Sequence, residues 1–250
     1  EALIYLSGFI PIYKSKGYSA TIRLLSGFVL EEQVFINNID LGWITITSDD
    51  ATVDVDNGEL TETSLTYDAR PALAAENNGV LPVIDVKFQL INSNLLQSDR
   101  IGIYCGNNSS VIVTSGSGFI NNQYGKNVLL FQNSWGILQS GVFTGASDGV
   151  CVFTGSKAVI ASADVSNCSG DGLRILDGSY GSANTITAQN CDNGIYLSGM
   201  SMCSAFLADA SSAGSYGFFV NGGSQIDISS ATGTTNISTN TLTSSGIIFQ

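Results

Sequence analysis

The sequence predicts an all-β solenoid: a single-stranded, right-handed parallel β-helix of about eight coils, each of about 23 residues. Three observations carry that prediction. A glycine followed by an apolar-x-apolar triplet recurs as Gly102-Ile-Tyr-Cys, Gly149-Val-Cys-Val, Gly172-Leu-Arg-Ile, Gly194-Ile-Tyr-Leu and Gly217-Phe-Phe-Val, with a looser copy at Gly125, so successive glycines stand 23, 24, 23, 22 and 23 residues apart. The segments between them alternate with period 2 and are broken by Gly, Ser and Asn clusters, the rhythm of short strands and turns. Finally, Cys168 and Cys191, each preceded by Asn, both lie 19 residues after a repeat glycine (168 − 149 and 191 − 172). Such residues stack in consecutive coils about 4.8 Å apart, where an Asn can hydrogen-bond along the stack.

In chain order, residues 1–18 read as an N-terminal cap or linker. Residues 2–8 form a short amphipathic helix stopped by Gly8, covering the open edge of the first coil. Residues 19–100 are the leading coils. They hold an acidic segment at 51–70, read as a solvated loop, and a resumed strand rhythm at Pro71–Glu76 and Val80–Leu90. Residues 101–250 are the regular coils, each with a second strand after the glycine strand: 110–113, 158–161, 185–188, 205–208 and 225–228. A Thr/Ser/Asn-rich stretch at 232–245 precedes a last strand, Gly246-Ile-Ile-Phe. A chain that opens at Glu1 without methionine reads as a piece of something longer.

Composition narrows the function classes. A net charge of −12 and a pI near 4.1 make nucleic acid and anionic membrane surfaces poor partners. The absence of histidine removes Ser-His-Asp triads and the usual zinc sites. No stretch is long and apolar enough to span a membrane. No metal or other cofactor is expected. The five cysteines lack CxxC spacing: Cys105 reads as an apolar filler, and Cys168 and Cys191 as free stacked thiols.

Residues 20–50 carry a resemblance. Ser26-Gly27-Phe28, Glu31 or Glu32, Val34-Phe35-Ile36 and Ile44-Thr45-Ile46 resemble the opening coil of pectin-lyase-like right-handed β-helices. That family includes lyases, hydrolases, esterases and non-catalytic proteins, so the resemblance implies a fold. The acidic, hydroxyl-rich solenoid with short loops also looks like the shaft of a bacteriophage tailspike or tail fibre. This implies a homotrimer on a virion tail, or otherwise extracellular, that recognises or degrades cell-surface polysaccharide.

Chemistry on a β-helix sits on its outer wall. Asp148 and Asp171 precede repeat glycines in neighbouring coils, which places them about 5 Å apart, near the spacing of a retaining glycosidase pair. Arg174 on the next outward position orients or neutralises them, and with Asp171 and Asp177 forms the one lyase-like cluster. Against this stands Asp-Gly as a turn dipeptide, in which both carboxylates cap backbone N–H groups and titrate low. The residue two after each glycine gives an outward stripe, Tyr104, Cys151, Arg174, Tyr196 and Phe219, suited to a sugar or to a subunit interface. The register puts Ile103, Val150, Val152, Leu173, Ile175, Ile195, Leu197, Phe218 and Val220 inside. Three readings stay open: a glycan-binding shaft, a depolymerase using Asp148 and Asp171, and a structural subunit that stacks end to end.

Overall fold

A computed structural model describes residues 2–9, 16–56, 70–91, 100–236 and 246–250. Parallel strands wind into a solenoid of about eight turns, walled by three stacks of strands. The first wall is an eight-stranded sheet, running from Val34–Asn37 through Arg70–Glu76, Arg100–Cys105, Lys126–Leu130, Asp148–Val152, Asp171–Ile175 and Asn193–Leu197 to Tyr216–Val220. The second begins as Ala20–Leu24, Ile44–Ser48 and Val83–Asp85. It continues as a seven-stranded sheet of Ser110–Ile112, Trp135–Ile137, Lys157–Val159, Tyr180–Ser182, Met202–Ser204, Ser224–Asp227 and Gly246–Phe249. The third is a four-stranded sheet, Val29–Leu30, Val53–Val55, Lys87–Leu90 and Gly118–Ile120. Beyond it the wall thins to single bridges at Val142, Asp164, Thr187, Asp209 and Thr232.

The register is the one the sequence pattern demands. Val128, Val150, Leu173, Ile195 and Phe218 pair in series along the first wall. All nine residues assigned to the interior lie in one buried core, with Cys105 as a filler among them. Each neighbouring outward residue is therefore fixed as well, because a one-residue slip would invert the sheet.

Left-handed backbone pins the corners. Between the first and second walls, pairs such as Asn77–Asn78, Asn107–Asn108, Gln132–Asn133 and Thr154–Gly155 all have φ between 51° and 73°. Asn tolerates this region better than most residues, which explains its abundance there. Side chains then bond along the stack: Asn77 Nδ2 donates to Asn37 Oδ1 at 3.0 Å, and Asn190 Nδ2 to Asn167 Oδ1 at 3.2 Å. The Asn167/Asn190 ladder is as expected.

The repeat glycines have a different origin. A Cβ on Gly102 would lie 2.4 Å from Phe119, one on Gly194 2.5 Å from Ala210, and one on Gly217 2.7 Å from Gly233. These glycines let the first wall close against the third, so their period records packing across a corner.

Two expectations need correction. Residues 185–188 and 205–208 are not second-wall strands; Tyr180–Ser182 and Met202–Ser204 are. The inward position of Tyr180–Ser182 is Gly181, whose Cβ would meet Ile175 Cδ1 at 2.5 Å, so crowding from the first wall erases the apolar signal there. Thr187 instead makes a third-wall bridge. At the N-terminus a helix, Ala2–Ser7, packs Leu3 and Leu6 against the core, with Phe9 following. Of the acidic segment 51–70, residues 57–69 lie outside the described residues, as do 237–245 of the polar stretch.

Candidate functional site

The outer surface of the first wall carries two columns. In one, Lys126, Asp148, Asp171, Asn193 and Tyr216 occupy the start of successive strands; in the other, Ala74, Tyr104, Leu129, Cys151, Arg174, Tyr196 and Phe219 are register neighbours. The expected stripe therefore exists as a column, but its environment changes along the axis.

At its leading end the stripe is buried. Tyr104 is fully enclosed with Ala74, Ile101, Leu129 and Cys151, and Phe131 and Phe153 pack on them. The Tyr104 hydroxyl donates to Glu76 Oε1 at 3.1 Å, and its ring folds over Gly106, where a Cβ would lie 2.3 Å from the phenol oxygen. Tyr104 is thus corrected from an exposed stripe residue to part of a second apolar layer. Cys151 is likewise buried rather than outward to solvent, and burial pushes its thiol well up.

Asp148, Asp171 and Arg174 do come together. The Asp171 N–H donates to Asp148 Oδ1 at 3.1 Å, so Asp148 caps its neighbour's backbone as the turn reading expects. Arg174 reaches both carboxylates, with Nη1 3.7 Å from Asp148 Oδ2 and Nε 3.5 Å from Asp171 Oδ2. Asn193 Nδ2 donates to Asp171 Oδ1 at 2.9 Å. Both aspartates are only 6% exposed, which corrects the expectation that they face solvent. Nor does Asp171 titrate low: burial, reinforced by the Asp148 charge, raises its carboxyl to about 6 against the pull of Asn193 and Arg174. Asp177, the other lyase-cluster residue, sits exposed in a left-handed corner at φ 57°. A carboxyl titrating near 6 beside a guanidinium can hold a proton near neutral pH, the property asked of a general acid.

Past Arg174 the column opens. The guanidinium carbon stands 5.3 Å from the Tyr196 ring centroid, and Tyr196 stacks on Phe219 at 4.9 Å with planes 3° apart. Tyr216, from the first column, tilts against Phe219 at 5.6 Å. Arg174, Tyr196 and Phe219 are all half-exposed. The result is a short polar-aromatic platform, Arg174–Tyr196–Phe219, bordered by Asn193 and the paired aspartates.

All five thiols are free and buried. Cys168 and Cys191 form a small buried cluster with Ala146, the expected stacked pair. Sequence reasoning missed a buried serine ladder between the first and second walls. Gly79 N–H donates to Ser109 Oγ, Ser109 N–H to Ser134 Oγ, Ser134 N–H to Ser156 Oγ and Ser201 N–H to Ser224 Oγ, at 3.0 to 3.2 Å. Its signal was legible: Ser109, Ser134, Ser156, Ser179, Ser201 and Ser224 recur with the coil period. Among the described residues, no group of three or more acidic or cysteine side chains is placed to hold a metal ion, and no helix is long and apolar enough to cross a membrane.

No protein-family model matches this chain, and none of the curated proteins does.

Proposed function

We propose that this solenoid is a carbohydrate-recognising shaft of the pectin-lyase-like, tailspike-like type, extracellular or on a virion tail, that binds cell-surface polysaccharide as part of a homotrimer. The Arg174–Tyr196–Phe219 platform carries the reading. Half-exposed aromatic rings beside hydrogen-bonding Asn and Asp groups suit the apolar face and hydroxyl rim of a sugar. The test is a binding titration with purified capsular and O-antigen polysaccharides. Tyr196→Ala and Phe219→Ala each weaken binding about tenfold, the equivalent of about 1.4 kcal/mol; unchanged affinity in both variants removes the platform from recognition.

One observation favours a second reading, that of a polysaccharide depolymerase. Asp171 combines a carboxyl raised to about 6 with a neighbouring carboxylate and an arginine. In that mechanism one aspartate protonates the leaving oxygen and the other attacks. Release of oligosaccharides by the wild type, lost in Asp148→Asn and Asp171→Asn with the fold intact, selects it over the binding shaft.

A further inference from the structure

The second wall presents a surface unlike the first. Its outward positions in the regular turns form two columns: Trp135, Lys157, Tyr180, Met202, Gln225, Ile247, and Ile137, Val159, Ser182, Ser204, Asp227, Phe249. Trp135 is 44% exposed, Tyr180 42% and Met202 51%, with Val159 and the neighbouring corner residue Met200 also open. Among these twelve outward residues the charged ones are Lys157 and Asp227, which cancel. The chain as a whole carries −12.

Aromatic and methionine side chains with few charges are the residue signature of an interface core. A contiguous exposed apolar patch on a soluble chain also marks a contact surface. The charge distribution identifies the occupant. Two copies of a strongly acidic chain repel wherever their carboxylates meet within a Debye length of about 8 Å. The first wall carries Asp148 and Asp171 and the third Asp54, Asp164 and Asp209, whereas the second wall in these turns is neutral. A polysaccharide fits it poorly, because Met202, Val159 and Met200 offer no hydrogen bonds to sugar hydroxyls. We infer that the second wall is the face on which a second copy of this chain packs, through the Trp135–Tyr180–Met202 column. The inference rests on the self-association half of the proposed reading and is independent of its glycan half.

The experiment follows mass and tryptophan emission together over a protein dilution series. The chain has two tryptophans, and Trp43 is buried, so a change on assembly reports Trp135. The wild type should show a multiple of the monomer mass and blue-shifted emission, both reverting on dilution. Tyr180→Asp with Met202→Asp should remain monomeric at ten times the concentration at which the wild type is half assembled, with its circular dichroism unchanged. Should the aspartates unfold the sheet, Tyr180→Gln with Met202→Gln takes their place and should raise that concentration at least tenfold. Assembly of a folded variant equal to the wild type overturns the inference and leaves self-association standing through another face. A wild type that is monomeric throughout overturns both. Emission of Trp135 that shifts only on adding polysaccharide assigns the wall to glycan and overturns the inference as well.

Discussion

The leading and trailing turns solve the same closure problem with different residues. Register partners along the first wall are 39 residues apart from Val34 to Leu73, 30 from Leu73 to Ile103 and 25 from Ile103 to Val128, then 22, 23, 22 and 23 through Val150, Leu173, Ile195 and Phe218. As the turns shorten, the third wall shrinks from strands to single bridges. Its inward column shrinks too: Phe88, Phe119 and Phe143 give way to Val165, then Ala188, Ala210 and Gly233. Each faces the corner where the first-wall glycine sits. A shorter turn encloses less volume, so the side chain that fills it must lose atoms in step. The outer surface differs in the opposite sense, since the leading part of the first wall is buried under a second apolar layer and the trailing part bears the open platform.

The sharpest break in this comparison is expected at the widest part of the lumen. Phe119 is fully buried and stacks on Phe88 with centroids 6.3 Å apart. Phe119→Ala leaves a void that neighbouring turns cannot fill, at a cost of about 3–5 kcal/mol in urea denaturation. A loss below about 1 kcal/mol would mean the leading core collapses freely and is not held open by its fellow turns.

The converse change tests the narrow end. In Gly194→Ala the new methyl would lie 2.5 Å from Ala210 Cβ and 2.7 Å from the Gly217 carbonyl oxygen. Overpacking of this kind costs about 1–3 kcal/mol, measured as a lower denaturation midpoint. Combining it with Ala210→Gly should recover part of the loss, because one of the two contacts is removed. No recovery would place the whole conflict at the backbone and sever the glycine column from the taper.

The taper also explains what could be read from the sequence. Ile103, Val150 and Leu173 announce themselves because their wall is flat and one face is solely interior. Gly181 and Ala158 lie inside as well, but small residues in a crowded lumen carry no hydrophobic pattern, so the second wall went unseen at Tyr180–Ser182. The platform was half legible. Spacing alone aligned Arg174, Tyr196 and Phe219, whereas the fate of Tyr104 depended on Phe131 and Phe153 covering it, a contact between turns that period-2 reading cannot contain. For the same reason the aspartates read as ordinary Asp-Gly turns. Their burial comes from neighbouring turns, and it reverses the expected direction of titration for Asp171.

That reversal gives the smallest of the three effects and the one specific to the trailing turns. Asp171 titrates at about 6 in the fold against 3.8 for the free side chain, chiefly because burial disfavours its charge. The folded protein therefore holds this proton more tightly than the unfolded chain does. Its contribution to stability is complete below pH about 4 and is lost as the pH rises through 6. The loss is on the order of 2 kcal/mol between those limits. Asp171→Asn is neutral at every pH, so its stability should fall less steeply than that of the wild type from pH 4 to pH 7, read as denaturation midpoints across that range. Arg174 keeps Asp148 as a partner in the variant, so its guanidinium is not stranded without a carboxylate. Parallel profiles for the two proteins would show that Asp171 is ionised throughout, and would withdraw the proton that the depolymerase reading assigns to it.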